Sequence, residues 1–403
     1  MRKVSLSALI FVFILNAWVQ PKEAAGQHQR PTSVPSTYRS LYGELQRGLQ
    51  EVDQSITKQW DAQKYPTVFS VELLAANSHR GEALLGDETF KANVMMLDRL
   101  HSLGVKGIML GILYPVLNPS FPRAADYLNF YKKLALEIRQ RDLKLIVETT
   151  STFREPEFSD VKVDYSGLTF DRYKREKRQM VEAVLREIRP DFLTVENEPL
   201  TQQRNTGVRY SVRNYTEMIQ YILKDLDRSH AKIGAGAGTW DDFDYFERLA
   251  KHTTVDYIDM HIYPIQRDFL IDRTLRIERL ARTQNKKVTV GETWLYKAAE
   301  SEFAGLEASQ PRVFARDVFD FWIPLDEKFV EVMVKLSHQL KLEFCSLFWM
   351  RYLYGYLEYN RTTKGMKPLQ LFRQVNGLAY KNMLTGTLSQ TGVTFQRLIR
   401  ETQ

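Results

Sequence analysis

Apolar and polar positions follow two rhythms along this chain. From residue 65, short runs rich in β-branched and aromatic residues alternate with longer stretches whose apolar residues recur every three or four positions. The runs are TVFSVEL (67–73), GVKGIMLGIL (104–113), LKLIVETT (143–150), FLTVENEP (192–199), AKIGAGAG (231–238), VDYIDMHIY (255–263), KVTVGETW (287–294) and EFCSLFWM (343–350). The helical pattern falls at 89–103, 124–141, 172–189, 213–228, 242–252, 270–284 and 326–341. Strands that alternate with helices predict a parallel sheet, and eight such units predict closure into a single (β/α)₈ TIM barrel of the α/β class rather than an open doubly wound sheet. The fifth run is thin for a strand because of its glycines, which make room for a ligand or a neighbouring backbone.

Residues 38–60 read as a further helix, with Leu41, Leu45, Leu49 and Val52 on one face. A polar, proline-containing linker precedes it at 26–37. The first residues have a different character. Arg2 and Lys3 stand before an apolar run from Val4 to Val19, and Ala24-Ala25-Gly26 follows. Charge, apolar core and small residues in that order predict a signal peptide, with an uncleaved anchor as the alternative, since the run is short for a span of about 20 residues. The expected organisation is a signal peptide at 1–26, linker and N-terminal helix at 27–60 and barrel at 61–403, in a secreted or periplasmic protein. No second stretch is long enough to cross a bilayer. The aromatic stretch 295–325 either extends the site or packs on the barrel, and the tail from 357 supplies the last barrel helix and a cap.

The net charge of +7 is mild, and Lys and Arg are interleaved with Glu and Asp, as in KREKRQMVEAVLREIR (174–189). This reads as solvated helix faces rather than a nucleic-acid stripe. The single cysteine, Cys345, sits among apolar residues, which predicts a buried strand position and excludes an intramolecular disulfide. No close-spaced metal-ligand pair and no phosphate-cradling glycine motif is present, so neither metal nor cofactor is expected.

Functional residues of a (β/α)₈ barrel lie at the C-terminal ends of its strands. The fourth run ends in Glu196-Asn197-Glu198-Pro199, the sixth in His261-Ile262-Tyr263-Pro264, the seventh in Gly291-Glu292-Thr293-Trp294 and the eighth in Phe348-Trp349-Met350. Two carboxylates on one rim suit glycoside hydrolysis, one to protonate the leaving oxygen and one to attack or stabilise the anomeric carbon. In motif order and spacing, over about residues 65–355, these four strand ends resemble clan A of the glycoside hydrolases. The resemblance implies a retaining β-glycosidase with Glu198 as acid/base, Glu292 as nucleophile, Asn197 on the sugar 2-hydroxyl, Tyr263 orienting the nucleophile, His261 lining the same subsite and Trp349 beneath the sugar.

Trp240, Trp294 and Tyr296 are candidates for outer sugar subsites, and Tyr352, Tyr354 and Tyr356 for a cleft wall. Glu72, Glu148 and Thr149 end strands one and three and are candidates for ligand contact. Two departures stand out. Strand two ends without the arginine of many clan members. Strict alternation also puts Glu196 and Glu198 on one face and Asn197 on the other, so the clan reading needs a kink there; Glu196 is then a buried ion-pair partner or the acid itself. The expected substrate is a β-linked oligo- or polysaccharide, with galactan, mannan and β-glucan all open. A non-catalytic carbohydrate-binding barrel and a transglycosylase using the same glutamates are the alternatives.

Overall fold

The computed structural model describes residues 31–401 apart from 61, 157 and 305–310. The expected signal peptide lies outside the described residues.

Each of the eight runs supplies one strand: β1 (Val68–Glu72), β2 (Gly107–Gly111), β3 (Lys144–Glu148), β4 (Phe192–Thr194), β5 (Lys232–Gly238), β6 (Tyr257–Ile262), β7 (Lys287–Thr293) and β8 (Phe344–Leu347). They pair in chain order, all parallel, and β8 returns to β1 to close the barrel. The glycines of β5 make room for its neighbour β6: a Cβ at Gly234 would lie 2.0 Å from the Tyr257 ring.

The outer layer holds α1 (Arg39–Gln59), α2 (Asp87–Leu103), α3 (Ala124–Gln140), α4 (Phe170–Ala183), α5 (Pro199–Thr206), α6 (Val212–Leu223), α7 (Phe243–His252), α8 (Arg273–Thr283), α9 (Ile323–Gln339), α10 (Pro368–Thr385) and α11 (Gln390–Glu401). Their ends carry ordinary signals. Helix α2 opens with Asp87 and Glu88 at its positive pole and stops at Gly104, whose φ of 111° ends the turn. Helix α6 starts in a Ser211/Asn214 capping box.

The predicted N-terminal helix forms and buries Leu45, Leu49, Val52 and Ile56 in the same core as the barrel. Asp53 holds it to α9 through Lys328 (2.7 Å) and Lys335 (2.8 Å). In the tail, Phe395 of α11 sets its ring edge-on to Phe69 of β1 and seals the closure. The aromatic stretch divides between its two expected roles. Phe319, Phe321 and Trp322 are buried against Tyr38, Tyr42 and Tyr359, while Tyr296 and Phe314 reach toward the strand ends. No helix among the described residues is long and apolar enough to cross a membrane.

The barrel interior is layered by the two-residue period of its strands. Val68, Met109, Ile146, Phe192, Tyr257 and Phe344 form an apolar floor. Two positions on come Ser70, Thr194, Asp259, Thr289 and Ser346, all fully or almost fully buried. These polar groups bond one another: Ser70 to Ser346, Thr194 to the Tyr257 hydroxyl (3.0 Å), and both Thr194 and Thr289 to Asp259. Mutual hydrogen bonding is what makes their burial tolerable. At the strand ends stand Glu72 and His261, two positions further on, and Glu148, two positions after Ile146. Cys345 lies buried on β8, where burial pushes its thiol up to about 12.

Candidate active site

The two predicted carboxylates reach the barrel mouth through two local irregularities. On β4 the regular strand stops at Thr194. Glu198 then adopts a left-handed conformation (φ 47°, ψ 63°), which breaks the alternation and starts α5 at Pro199. Such a backbone is strained for a residue with a side chain and collects at functional sites. The expected kink therefore sits at Glu198 rather than at Asn197.

Glu196 is left facing α4, where it accepts a hydrogen bond from the Tyr173 hydroxyl (2.7 Å) and lies 3.4 Å from Lys177 Nζ. Both members of that ion pair are fully buried, so Glu196 is the ion-pair partner and stands apart from the mouth. Burial pushes the Glu196 carboxyl up and the Lys177 amine down, and each one's charge opposes the shift of the other. Lys177→Met strands the carboxylate, and unfolding in urea should show a loss of about 3–5 kcal/mol. A midpoint equal to that of the parent chain would show that Glu196 does not depend on Lys177.

On β7 a register shift opposite Met260/His261 brings Glu292 level with His261. Gly291 permits this close approach, because a Cβ there would lie 2.4 Å from Asp259 Oδ2 and 3.1 Å from His261 Nε2.

His261 joins the two carboxylates. Its Nδ1 lies 2.7 Å from Glu198 Oε1 and 3.6 Å from Glu292 Oε2, and its Nε2 lies 3.0 Å from Glu148 Oε1. Two oxygens that share one nitrogen can be no further apart than those two lengths together. The Glu198 and Glu292 side chains keep 16% and 17% of their exposure, whereas His261 keeps 2%. Tyr263 donates to Glu292 Oε2 at 2.6 Å.

Burial works against charge on His261, but Glu148, Glu292 and Glu198 outweigh it and hold the imidazolium well above its ordinary range. Burial also pushes up Glu198, yet the hydrogen bond and charge of His261 prevail and keep this carboxyl low. Glu292 goes the other way: burial, together with the charges of Glu72, Glu148 and Glu198, raises it well above the carboxylate range against His261. Burial and the neighbouring carboxylates thus favour the protonated form of Glu292, whereas His261 favours the ionised form of Glu198.

The remaining expectations divide. Asn197 is fully buried; its Oδ1 accepts from the Glu198 backbone N–H (2.8 Å) and its Nδ2 donates to Asp259 (3.0 Å). Trp349 is half-buried beyond β8, with the Arg351 guanidinium 4.1 Å over its ring. Trp240, also half-buried, leans on Tyr263 at 5.9 Å.

Trp294 is not a subsite wall. It lies just past the end of β7 and is 1% exposed, stacked on Tyr352 and edge-on to Phe329 of α9. Tyr352, Tyr354 and Tyr356 are likewise core residues, and Tyr356 bonds Asp326. Thr149 is buried and bonds the Val195 carbonyl.

Glu72 and Glu148 do join the cluster. Glu72 Oε1 accepts from Asn77 (2.6 Å), and burial pushes its carboxyl up to about 8. Asp259 was missed by sequence reasoning. Its signal was present in Tyr257-Ile258-Asp259-Met260-His261, where the inward position before His261 is acidic. Glu148, His261 and Glu292 also present atoms within 4.8 Å of one another, a spacing open to a cation, although both imidazole nitrogens already face carboxylates.

The fold is similar to that of GH5_18 from Bifidobacterium longum subsp. longum ATCC 55813, with a TM-score of 0.54 and 12% identity over 83% of this chain and 79% of that one. A second structure of that enzyme, a variant in complex with Manb1-4GlcNAc, matches equally, at 0.54 and 12% over 83% of this chain and 78% of the other. The GH1 β-glucosidase from Exiguobacterium antarcticum B7 is 11% identical over 84% of this chain and 99% of its own, with a TM-score of 0.49. No family model and no curated protein matches the sequence.

Proposed function

We propose that this protein is a retaining β-glycoside hydrolase acting on a β-linked oligo- or polysaccharide, with Glu198 as acid/base and Glu292 as nucleophile. The observation that carries this reading is the convergence of both carboxylates on one imidazole nitrogen at 2.7 and 3.6 Å, at the strand ends of a closed barrel. The distance from Glu198 Oε1 to Glu292 Oε2 is bounded by those lengths together. Two carboxyl groups that meet on one nitrogen form a close pair, which favours a covalent intermediate over the ~6.5–9.5 Å separation that leaves room for an attacking water. The barrel shared with GH5_18 is compatible with this chemistry, and motif order along the strands supports the assignment of roles.

In the first step Glu198 gives its proton to the leaving oxygen while Glu292 attacks the anomeric carbon. In the second, Glu198 takes a proton from water, which displaces Glu292 from the sugar. Catalysis needs Glu198 protonated and Glu292 ionised at the first step, and His261 Nδ1 lies within reach of both carboxylates. Tyr263 then stabilises ionised Glu292 by its hydrogen bond. Trp349, backed by Arg351, is the platform for the apolar face of the sugar.

The order of Arg2, Lys3, the apolar run and Ala24-Ala25-Gly26 supports export of the chain.

Following the anomeric protons by NMR as an aryl β-glycoside is cleaved tests the reading. The β-anomer is expected to appear first and then mutarotate. Release of the α-anomer would replace the double displacement with a single one, and no turnover of any aryl β-glycoside would remove the hydrolase reading.

A further inference from the structure

Two long loops meet above the strand ends. One joins β3 to α4 over residues 149–169, and the other runs from β7 to α9. Strands β3 and β7 stand opposite each other in the ring of eight. Yet the Phe158 ring of the first loop lies edge-on to the Phe314 ring of the second, with centroids 5.5 Å apart.

Neighbouring contacts fix the side of the mouth on which they meet. Phe314 is 6.3 Å from Trp349, beyond β8. Phe158 is 5.8 Å from Phe153, which stacks at 4.8 Å on His79, beyond β1. The Asp160 backbone N–H donates to the His79 carbonyl (2.8 Å), and buried Val161 packs on Gly81, where a Cβ would lie 3.3 Å from its side chain. These contacts anchor the β3 loop on the β1 loop. The loops of β3, β1, β8 and β7 are thus joined by an unbroken series of ring contacts, and the series includes the end of β8, the strand diametrically opposite β4. Glu198 and Glu292 keep partial exposure inside it.

The chemistry sets the direction of the substrate. In a double displacement the leaving oxygen lies beside the acid/base and opposite the attacking carboxylate. Glu198 follows β4, so the leaving group departs on the β4 side. In a β-linked pyranose the anomeric oxygen and C4 stand at opposite ends of the ring, so the far end of the reacting sugar is directed away from β4. A chain that continued past this sugar would meet rings already packed against one another at the usual aromatic spacing.

We propose that this aromatic barrier closes the site beyond the reacting sugar, so that the protein removes single sugars from the non-reducing ends of β-linked chains, with Phe158 and Phe314 as the residues that exclude a longer glycone. The proposal rests on the hydrolase reading for the direction of the leaving group.

The test uses the full chain and β-1,3- and β-1,4-linked gluco-, galacto- and manno-tetraoses that carry a fluorophore at the reducing end. Each is supplied free and with a 4,6-O-benzylidene cap on the non-reducing sugar. From a free tetraose the first labelled product is expected to be the trisaccharide. The cap is expected to lower kcat/KM by at least about 100-fold, because it clashes with the barrier. A labelled mono- or disaccharide as the first product, or equal cleavage of capped and free chains, overturns the proposal. Phe158→Ala and Phe314→Ala are each expected to raise the ratio of capped to free kcat/KM by about tenfold. That ratio is taken within one protein, so loss of folded material does not move it. A ratio unmoved by both substitutions and by the double variant also overturns the proposal.

Calorimetric titration with the same tetraoses keeps these outcomes separate from failure of the hydrolase reading. Binding without turnover that the cap abolishes would retain the closed pocket and discard the hydrolysis. In a protein that turns over none of the tetraoses, equal binding of capped and free chains, or binding of neither, removes the closed pocket.

Discussion

Glu292→Ala is expected to lower kcat on aryl β-glycosides by at least about 10⁴-fold while leaving the fold intact. Under the proposed roles Glu292 alone forms the covalent intermediate, since Glu198 serves the leaving group and Glu148 faces the opposite nitrogen of His261. Stability should change little or rise. Burial holds the Glu292 carboxyl well above its usual range, so an alanine removes a group that folding disfavours in its ionised form. Steady-state rates with a 4-nitrophenyl glycoside and a thermal melt together decide this. Activity within tenfold of wild type would assign the nucleophile elsewhere, with Glu148 the next carboxylate to replace.

The second large effect depends on the leaving group. Glu198→Ala is expected to slow unactivated substrates by about 10²–10⁴-fold, the range that a positioned general acid supplies. A 2,4-dinitrophenyl glycoside needs no protonation, so its first step should proceed and the glycosyl-enzyme accumulate. Azide should then release it as the β-glycosyl azide, because a small anion can enter where the carboxylate stood. Equal losses on both substrate types, with no azide product, would show that Glu198 positions the sugar rather than transferring protons.

Much of this arrangement was legible in the sequence. Period-two runs separated by period-3.6 stretches give eight strands and the helices between them, and the polar endings of runs four, six and seven mark His261, Tyr263, Glu198 and Glu292. The parts that were not legible are departures from periodicity. No residue pattern announces that Glu198 takes a left-handed φ, so alternation alone leaves Glu196 and Glu198 on one face. Trp294 misled because aromatic residues near a strand end look alike whether they face the mouth or a covering helix. Trp294 lies past the last residue of β7, where strand alternation no longer fixes a side, and packs against Tyr352 and Phe329. The electrostatic balance of the site was also out of reach, since it depends on distances among six groups drawn from four strands and the end of a fifth.

The helix before the barrel has a practical consequence for producing the protein. A recombinant chain begun at Trp60 would lose Leu45, Leu49, Val52 and Ile56 from the core and bare the apolar surface of α9 that they cover. It would also remove Asp53 and leave Glu331 as the one recorded carboxylate partner of both Lys328 and Lys335. Such a shortened polypeptide should collect in inclusion bodies, whereas one that begins at Pro31 keeps both the apolar cover and the counter-charge.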